Sequence, residues 1–377
     1  MRIVQIIARV NKGGTARWLE VLVTELRSLG HEVELLAGHV SENELEDPIF
    51  ATLGGLRFEG LGRSISIKKD LATFFALRRY LREHNPDVLN THTAKAGVLG
   101  RLASIGLGIK VVHTYHGHLL YGYFSPVKTK ILIRLEIFLG HFTNVFIAVG
   151  NQVKSDLIKA GIGESKKYLV INPGIPIIKL TKASEARKKF GFEEKEPIVG
   201  WLGRLTAIKR PDRVVELANS MPQIKFAIGG EGELSDEIKA NAPRNLVVLG
   251  WISPEDFWSA CDVALLTSDN EGLPTSLIEA AFSMKPIVCE DVGSASEIFE
   301  DRKGGFLVSN FETRRRAVIS LTGDRELALK MGRNAQEYAL NKFSIERFVN
   351  MHMQAYSQAF TKDPLILTDD QNLEPDA

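Results

Sequence analysis

A chain of 377 residues exceeds the size at which a single hydrophobic core usually keeps growing, so two domains are expected. Hydrophobic residues make up 44% and charged residues 25%, with a formal net charge of +1, and a near-neutral chain lacks the broad basic field that nucleic-acid backbones demand. The only cysteines, Cys261 and Cys289, lie inside apolar runs and read as buried thiols rather than a disulfide, which fits a reducing, cytoplasmic setting.

The first apolar run, Ile3 to Ala8, is too short to span a membrane, and no small-residue cleavage site precedes Asn11-Lys12-Gly13-Gly14. It reads as a strand. Further strands are expected at Val33 to Ala37, Val88 to Asn90, Val111 to Thr114 and Val145 to Val149. Helical segments alternate with them, among them Thr15 to Leu29, stopped by Gly30, and Leu71 to Glu83, stopped by Asn85-Pro86. This alternation predicts a parallel sheet covered by helices on both faces.

Pro173, Pro176 and the charged run Lys182 to Lys189 mark a hinge region. A second series then runs through Ile198 to Leu202, Phe226 to Ile228, Leu246 to Leu249, Val263 to Leu266 and Ile287 to Cys289. The expected organisation is an α/β chain of two Rossmann-like domains: 1–176, a linker 177–196, 197–344, a helix 345–360 and a disordered acidic tail 361–377. No short-period repeat and no low-complexity tract interrupts it.

Ligands of open parallel sheets bind outside the carboxyl ends of the strands, so the loops there carry the functional signal. After the first strand, Gly13 and Gly14 open a helix and let backbone N–H groups approach an anion, although the spacing is neither that of a dinucleotide fingerprint nor of a P-loop. After Ile198 to Leu202 come Gly203-Arg204 and then Lys209, just before a helix opened by Pro211, so two cations can converge on one anion, a diphosphate being the obvious candidate. After Val263 to Leu266 the chain reads Glu271-Gly272-Leu273-Pro274-Thr275, with Glu279 a turn into the following helix. One carboxylate lies outside the helix and one on it, and each can accept hydrogen bonds from a cis-diol of ribose or a sugar.

Gly203-Arg204 with Lys209, and Glu271 to Glu279 as a pair of glutamates eight residues apart, resemble the donor site of the retaining, GT-B-fold glycosyltransferases of family 4. The resemblance extends to about Phe360. Leu61 to Ser66, Thr91 to Gly97 and His113-Thr114-Tyr115-His116-Gly117-His118 are similar to a bacterial subgroup of cell-surface sugar transferases. The resemblance implies two domains facing across a cleft, a C-terminal helix crossing back to the first domain, and a metal-independent transfer of a hexose-type sugar, with retention, from a nucleotide sugar, UDP-sugar foremost, to a glycan or lipid-linked acceptor of the cell envelope.

In family terms Arg204 and Lys209 hold the diphosphate and stabilise its growing charge. Glu279 binds the ribose and Glu271 the transferred sugar. Gly272, Leu273 and Pro274 line the pocket, Thr275 reaches a phosphate, and Gly13 and Gly14 close from the other domain. His116 matches the active-site histidine, with His113 and His118 as neighbouring candidates. Three histidines in six residues also raise zinc, but no cysteine is near, and no cofactor is expected.

Two departures stand out: Pro173 to Pro176 in place of Asn-Gly-Ile-Asp at the hinge, and Gly293 to Glu297 as a variant glycine-rich turn. The acceptor is expected on the N-terminal domain, where Tyr121 to Arg134 reads first as an amphipathic core helix and alternatively as a membrane-facing one at the cytoplasmic face. A nucleotide-sugar epimerase of the same architecture and a non-catalytic nucleotide-sugar-binding module are the rival readings.

Overall fold

The computed structural model describes residues 1–42, 44–62, 64, 66–117 and 126–361, excepting the side chains at 126 and 128. His118, Tyr121 to Ser125 and the tail beyond Thr361 therefore lie outside the described residues, as do Arg63 and Ile65 of the Leu61 to Ser66 motif.

Two parallel sheets organise the chain. The first contains β1 (Arg2–Arg9), β2 (Glu32–Gly38), β3 (Leu56–Arg57), β4 (Val88–His92), β5 (Lys110–Tyr115), β6 (Val145–Ala148) and β7 (Tyr168–Val170), in the order β3-β2-β1-β4-β5-β6-β7. The second contains β8 (Ile198–Leu202), β9 (Lys225–Gly229), β10 (Leu246–Val248), β11 (Val263–Leu266), β12 (Ile287–Glu290) and β13 (Gly305–Val308), in the order β10-β9-β8-β11-β12-β13. Central strands such as β4, β6, β11 and β12 are buried along their whole length, because helices cover both faces. That is why β6 and β11 are continuous apolar runs rather than alternating ones, while β4 buries Asn90, Thr91 and His92 behind its apolar start.

In each sheet the strand order reverses beside the first strand, so β1 lies between β2 and β4, and β8 between β9 and β11. The loops after β1, β8 and β11 thus open at the topological switch points, where parallel sheets present a crevice.

The stretch read as a hinge holds a helix, Ala183–Phe190, that packs on the second half. Arg187 donates to both carboxylate oxygens of Asp262 (2.9 and 2.7 Å) and to the carbonyls of Glu194 and Glu196. The charged run is therefore anchored by one buried guanidinium. The chain passes between halves at Pro173–Ile175, where a Cβ on Gly174 would lie 2.7 Å from that of Phe348, and Ile175 N–H donates to the Phe343 carbonyl (3.1 Å). The last helix, Ile345–Gln358, crosses back onto the first half, where Phe348 meets Trp18 edge-on at 4.7 Å.

Candidate active site

A cleft of about 3340 Å³ runs between the two sheets and is lined from both. Small-ligand pockets occupy roughly 300–1,000 Å³, so this one has room for two substrates side by side.

On one wall, β8 ends in Gly203 and the chain turns through Arg204 to Lys209. Thr267, just past β11, fixes that turn: its hydroxyl donates to the carbonyls of Lys209 and Arg210 (3.1 and 2.9 Å) and accepts from the Trp201 indole N–H (3.0 Å). Asp269 N–H adds a bond to the Ile208 carbonyl (2.9 Å). Two loops distant in sequence are thereby locked into one surface.

Within it, Lys209 Nζ bonds both oxygens of Glu271 (2.5 and 2.6 Å), and the Ser268 hydroxyl donates to the same carboxylate (2.6 Å). Glu271 is held in place from behind. Gly293 has a left-handed φ of +55°, a Cβ there would fall 1.8 Å from the Glu271 carbonyl oxygen, and Ser294 N–H donates to the Gly272 carbonyl (3.0 Å). The variant turn Gly293 to Glu297 therefore braces the Glu271 loop. Its Glu297 also accepts from Gln152 N–H (3.1 Å) and the Asn151 side chain (3.1 Å), tying the halves together.

Arg204 is exposed to the cleft, and among the described residues its guanidinium has no hydrogen-bond or ion-pair partner. It is a free cation beside a paired one.

From the opposite wall, the helix Gly14–Ser28 starts against the helix Thr275–Phe282: a Cβ on Gly14 would lie 3.1 Å from Thr275 Cγ2. Neither start carries a side-chain cap. Two sets of uncapped N–H groups and two positive dipole ends therefore face one space, which favours an anion. Pro274 directly precedes its helix, and Leu273, though 9% exposed, lies with it at the cleft.

Glu279 lies on the same helix with partial access to the cleft. Burial pushes its carboxyl up to about 7, against the pull of the nearby Arg17 guanidinium and helped by the Glu255 charge. A carboxyl so placed ionises most readily when something in the cleft donates hydrogen bonds to it.

His116 follows β5 and lines the cleft, with its backbone oxygen against Gly272: a Cβ on Gly272 would come within 2.3 Å of it. Burial, with the His352 ring beside it, pushes His116 down to about 3, so the ring is neutral at physiological pH. His113 is 1% exposed on β5, bonded through Nδ1 to the Thr91 hydroxyl (2.8 Å), and burial pushes it well below the ordinary histidine range. Of the described histidines of the motif, His116 has the better access. Among the described residues, no group of three or more His, Cys, Asp or Glu could hold a metal ion.

The described residues singled out in sequence thus line one cleft. Sequence reasoning passed over the loop Gly230–Glu233, which lines the same cleft below Arg204. There Gly230, at φ +121°, allows the Gly203 carbonyl to approach to 1.9 Å of where a Cβ would be. The pair Gly229-Gly230 directly after a strand was the available signal. It also passed over His92, which bonds His116 (2.9 Å).

Two parallel sheets whose switch-point loops open on one cleft give the chain a doubly wound α/β architecture in two halves. The profile described as Glycosyltransferase Family 4 matches residues 12–178, and that described as Glycosyl transferases group 1 matches residues 182–338. The chain is 32% identical over 263 residues to the O-antigen biosynthesis glycosyltransferase WbnH of Escherichia coli, covering 68% of this chain and 73% of that one. It is 28% identical over 320 residues to the UDP-Gal:alpha-D-GlcNAc-diphosphoundecaprenol alpha-1,3-galactosyltransferase of Escherichia coli, covering 78% and 81%. Anabaena Alr3699/HepE, solved in complex with UDP and glucose, superposes with a TM-score of 0.80 at 22% identity over 95% of this chain and 99% of that one. The chain belongs to the family 4 glycosyltransferases of GT-B fold, and it is an enzyme of sugar transfer.

Proposed function

We propose that the enzyme transfers a hexose-type sugar from a UDP-sugar to a glycan or lipid-linked acceptor of the cell envelope, with retention of anomeric configuration and without a divalent metal. The observation that carries this reading is the meeting of Arg204, Lys209 and two uncapped helix starts on one space flanked by Glu271 and Glu279. The relatives support the substrates: one is named for UDP-Gal and a diphosphoundecaprenol acceptor, and one was solved with UDP.

The diphosphate lies between Arg204, Lys209, the N–H groups from Gly13 and Gly14, and Thr275. Its ribose hydroxyls donate to Glu279. Glu271, already aligned by Lys209 and Ser268, takes hydroxyls of the transferred sugar beside Gly272, Leu273 and Pro274, with His116 on the other side.

As the bond from the anomeric carbon to the phosphate oxygen breaks, negative charge grows on the diphosphate. Fixed cations and helix N–H groups act most strongly on charge that develops during reaction, and this set stands in the place a metal would fill. The acceptor oxygen attacks from the leaving-group face and its proton passes to a phosphate oxygen, which gives retention. Incubation with a panel of nucleotide sugars and a diphosphate-lipid acceptor, in the presence of a chelator, is expected to release UDP and an α-linked product. Epimerised donor in place of free UDP would contradict the reading.

The acceptor docks beside the helix Pro126–Gly140 of the first half. Val127, Ile131 and Phe138 are 68, 61 and 51% exposed and share a face with the exposed Lys130 and Arg134, and Phe142, just past the helix and 38% exposed, meets Phe138 edge-on. The helix's only carboxylate, Glu136, is buried against Arg101. That face fits an anionic bilayer surface better than the core-helix reading of the sequence. Among the described residues no helix is long and apolar enough to cross a membrane. The enzyme is expected to float with phosphatidylglycerol vesicles, and Ile131→Asp with Phe138→Asp to leave it in the soluble fraction. Equal flotation of both proteins would place the contact elsewhere.

A further inference from the structure

Behind His116 an unbroken line of hydrogen bonds crosses the first sheet and ends on the C-terminal helix. His116 Nε2 lies 2.9 Å from His92 Nδ1, and His92 Nε2 lies 2.8 Å from Gln5 Oε1. Gln5 Nε2–H donates to the Tyr356 hydroxyl (3.0 Å), which also accepts from Asn90 Nδ2–H (3.1 Å). Asn90 Oδ1 in turn accepts from the Thr114 hydroxyl (3.0 Å). His92, Gln5 and Asn90 are all fully buried, so none can trade these bonds for water.

The chemistry of each partner assigns the protons. With the Gln5 amide placed as it is, oxygen toward His92 and nitrogen toward Tyr356, that oxygen only accepts, so the proton of His92 sits on Nε2, and the neutral ring offers Nδ1 as a lone pair. His116 must then donate its Nε2–H to that lone pair. Its one remaining ring atom able to bond a ligand is Nδ1, unprotonated. The two imidazoles lie nearly parallel, 27° apart with centroids at 5.1 Å, and the Trp18 indole meets His116 edge-on at 5.0 Å. Ring plane and tautomer are therefore both constrained.

We propose that His92 is a positioning residue of the transfer reaction: it holds His116 as the neutral Nε2–H tautomer, so that Nδ1 accepts a hydrogen bond from a hydroxyl of the transferred sugar. The proposal rests on the reading of His116 as part of the sugar subsite. It adds that the first half alone does not specify the tautomer. Tyr356, 351 residues from Gln5 in sequence, closes the line, so docking of the C-terminal helix is built into the state of an active-site ring.

The test uses the full-length enzyme and three variants behind His116. His92→Phe keeps an aromatic ring and removes the acceptor; Gln5→Leu removes the group that sets the His92 proton; His92→Asn restores an acceptor oxygen near the Nδ1 position. The first two are expected to lower kcat about tenfold, the effect of one lost hydrogen bond, with KM for the UDP-sugar within about twofold of wild type. His92→Asn is expected to keep most of the turnover. With 15N-histidine, His116 of the wild type should show one protonated and one bare nitrogen, collapsing toward an average of tautomers in His92→Phe. Where His92→Phe does not fold, Gln5→Leu carries the same readouts. Unchanged kcat and an unchanged His116 nitrogen pattern in either variant, alongside an inactive His116→Ala, would overturn the proposal. An active His116→Ala would instead remove His116 from the reaction, and the proposal with it, while the nitrogen pattern still reported on the His92 bond itself.

Discussion

Lys209→Ala is expected to lower sugar transfer by about 10²–10³-fold, the loss of one preorganised donor to developing charge, roughly 2.7–4 kcal/mol. It should also lower the melting temperature, for a reason specific to this site. The Lys209 side chain is 22% exposed and that of Glu271 only 7%, so removing the lysine leaves a largely buried carboxylate that keeps the Ser268 hydroxyl as a hydrogen-bond donor but has lost its cation. Arg204→Ala makes the contrast. Its guanidinium is exposed and unpaired among the described residues, so its loss should slow transfer to a comparable degree while leaving the melting temperature within about 1 °C. Steady-state rates with UDP-sugar and a thermal melt on the same two proteins check both halves. A Lys209→Ala enzyme of near wild-type rate would remove that residue from the diphosphate site.

Glu279→Gln is expected to weaken the donor and, unusually for a substitution in a binding site, to stabilise the empty enzyme at alkaline pH. Burial raises the Glu279 carboxyl from its ordinary 4.5 to about 7 in the folded chain. The folded state therefore holds a proton that the unfolded chain releases between pH 4.5 and 7, and the group's contribution to stability is complete below that window and lost as pH rises through it. At pH 8 the glutamine variant escapes that loss and should be more stable by about 1 kcal/mol, a discounted figure because the carboxyl retains access to solvent in the cleft. Binding runs the other way. Ribose hydroxyls donate to the ionised form, so wild-type affinity for a UDP-sugar, whose diphosphate does not titrate in this range, should strengthen from pH 6 to 8, while the variant should be flat across that range and about tenfold weaker at pH 8. Calorimetry at three pH values reads this directly, and a pH-independent wild type would take Glu279 away from the ribose.

Much of the fold and most of the cleft wall that carries Arg204, Lys209 and Glu271 are legible in the sequence, because both depend on short-range chemistry. β8 and β11 occupy the spans their apolar runs predict, Ile198–Leu202 and Val263–Leu266, since both strands are covered on each face and end at a loop rich in glycine or proline. The loops that follow them carry Arg204, Lys209 and Glu271. Three of the four edge strands escaped, Leu56–Arg57, Tyr168–Val170 and Gly305–Val308, and none of them offers the run of four or more Val, Ile and Leu residues that marks the fourth, at Leu246 to Leu249. The charged run Lys182 to Lys189 was read as hinge because the partner that turns Arg187 into an anchor, Asp262, lies 75 positions away.

The same limit applies at the site. That His92 touches His116 follows from β4 and β5 lying side by side, and that Tyr356 touches Gln5 follows from the last helix returning across the chain. Neither contact leaves a local pattern. The exposed face of the helix Pro126–Gly140 is a related case: its sequence is apolar nearly all round, and which side packs on protein is decided by the neighbours.

The central claim, that one cleft gathers cations and carboxylates from the second half against the glycine-opened helix of the first around a single activated sugar, is tested most directly by a crystal structure of the enzyme with UDP. The account predicts the diphosphate within hydrogen-bond distance of Arg204, Lys209 and the N–H groups at Gly14 and Thr275, with the ribose on Glu279. UDP ordered anywhere else, or held by one half with the Gly13-Gly14 helix start turned away from it, would contradict the account.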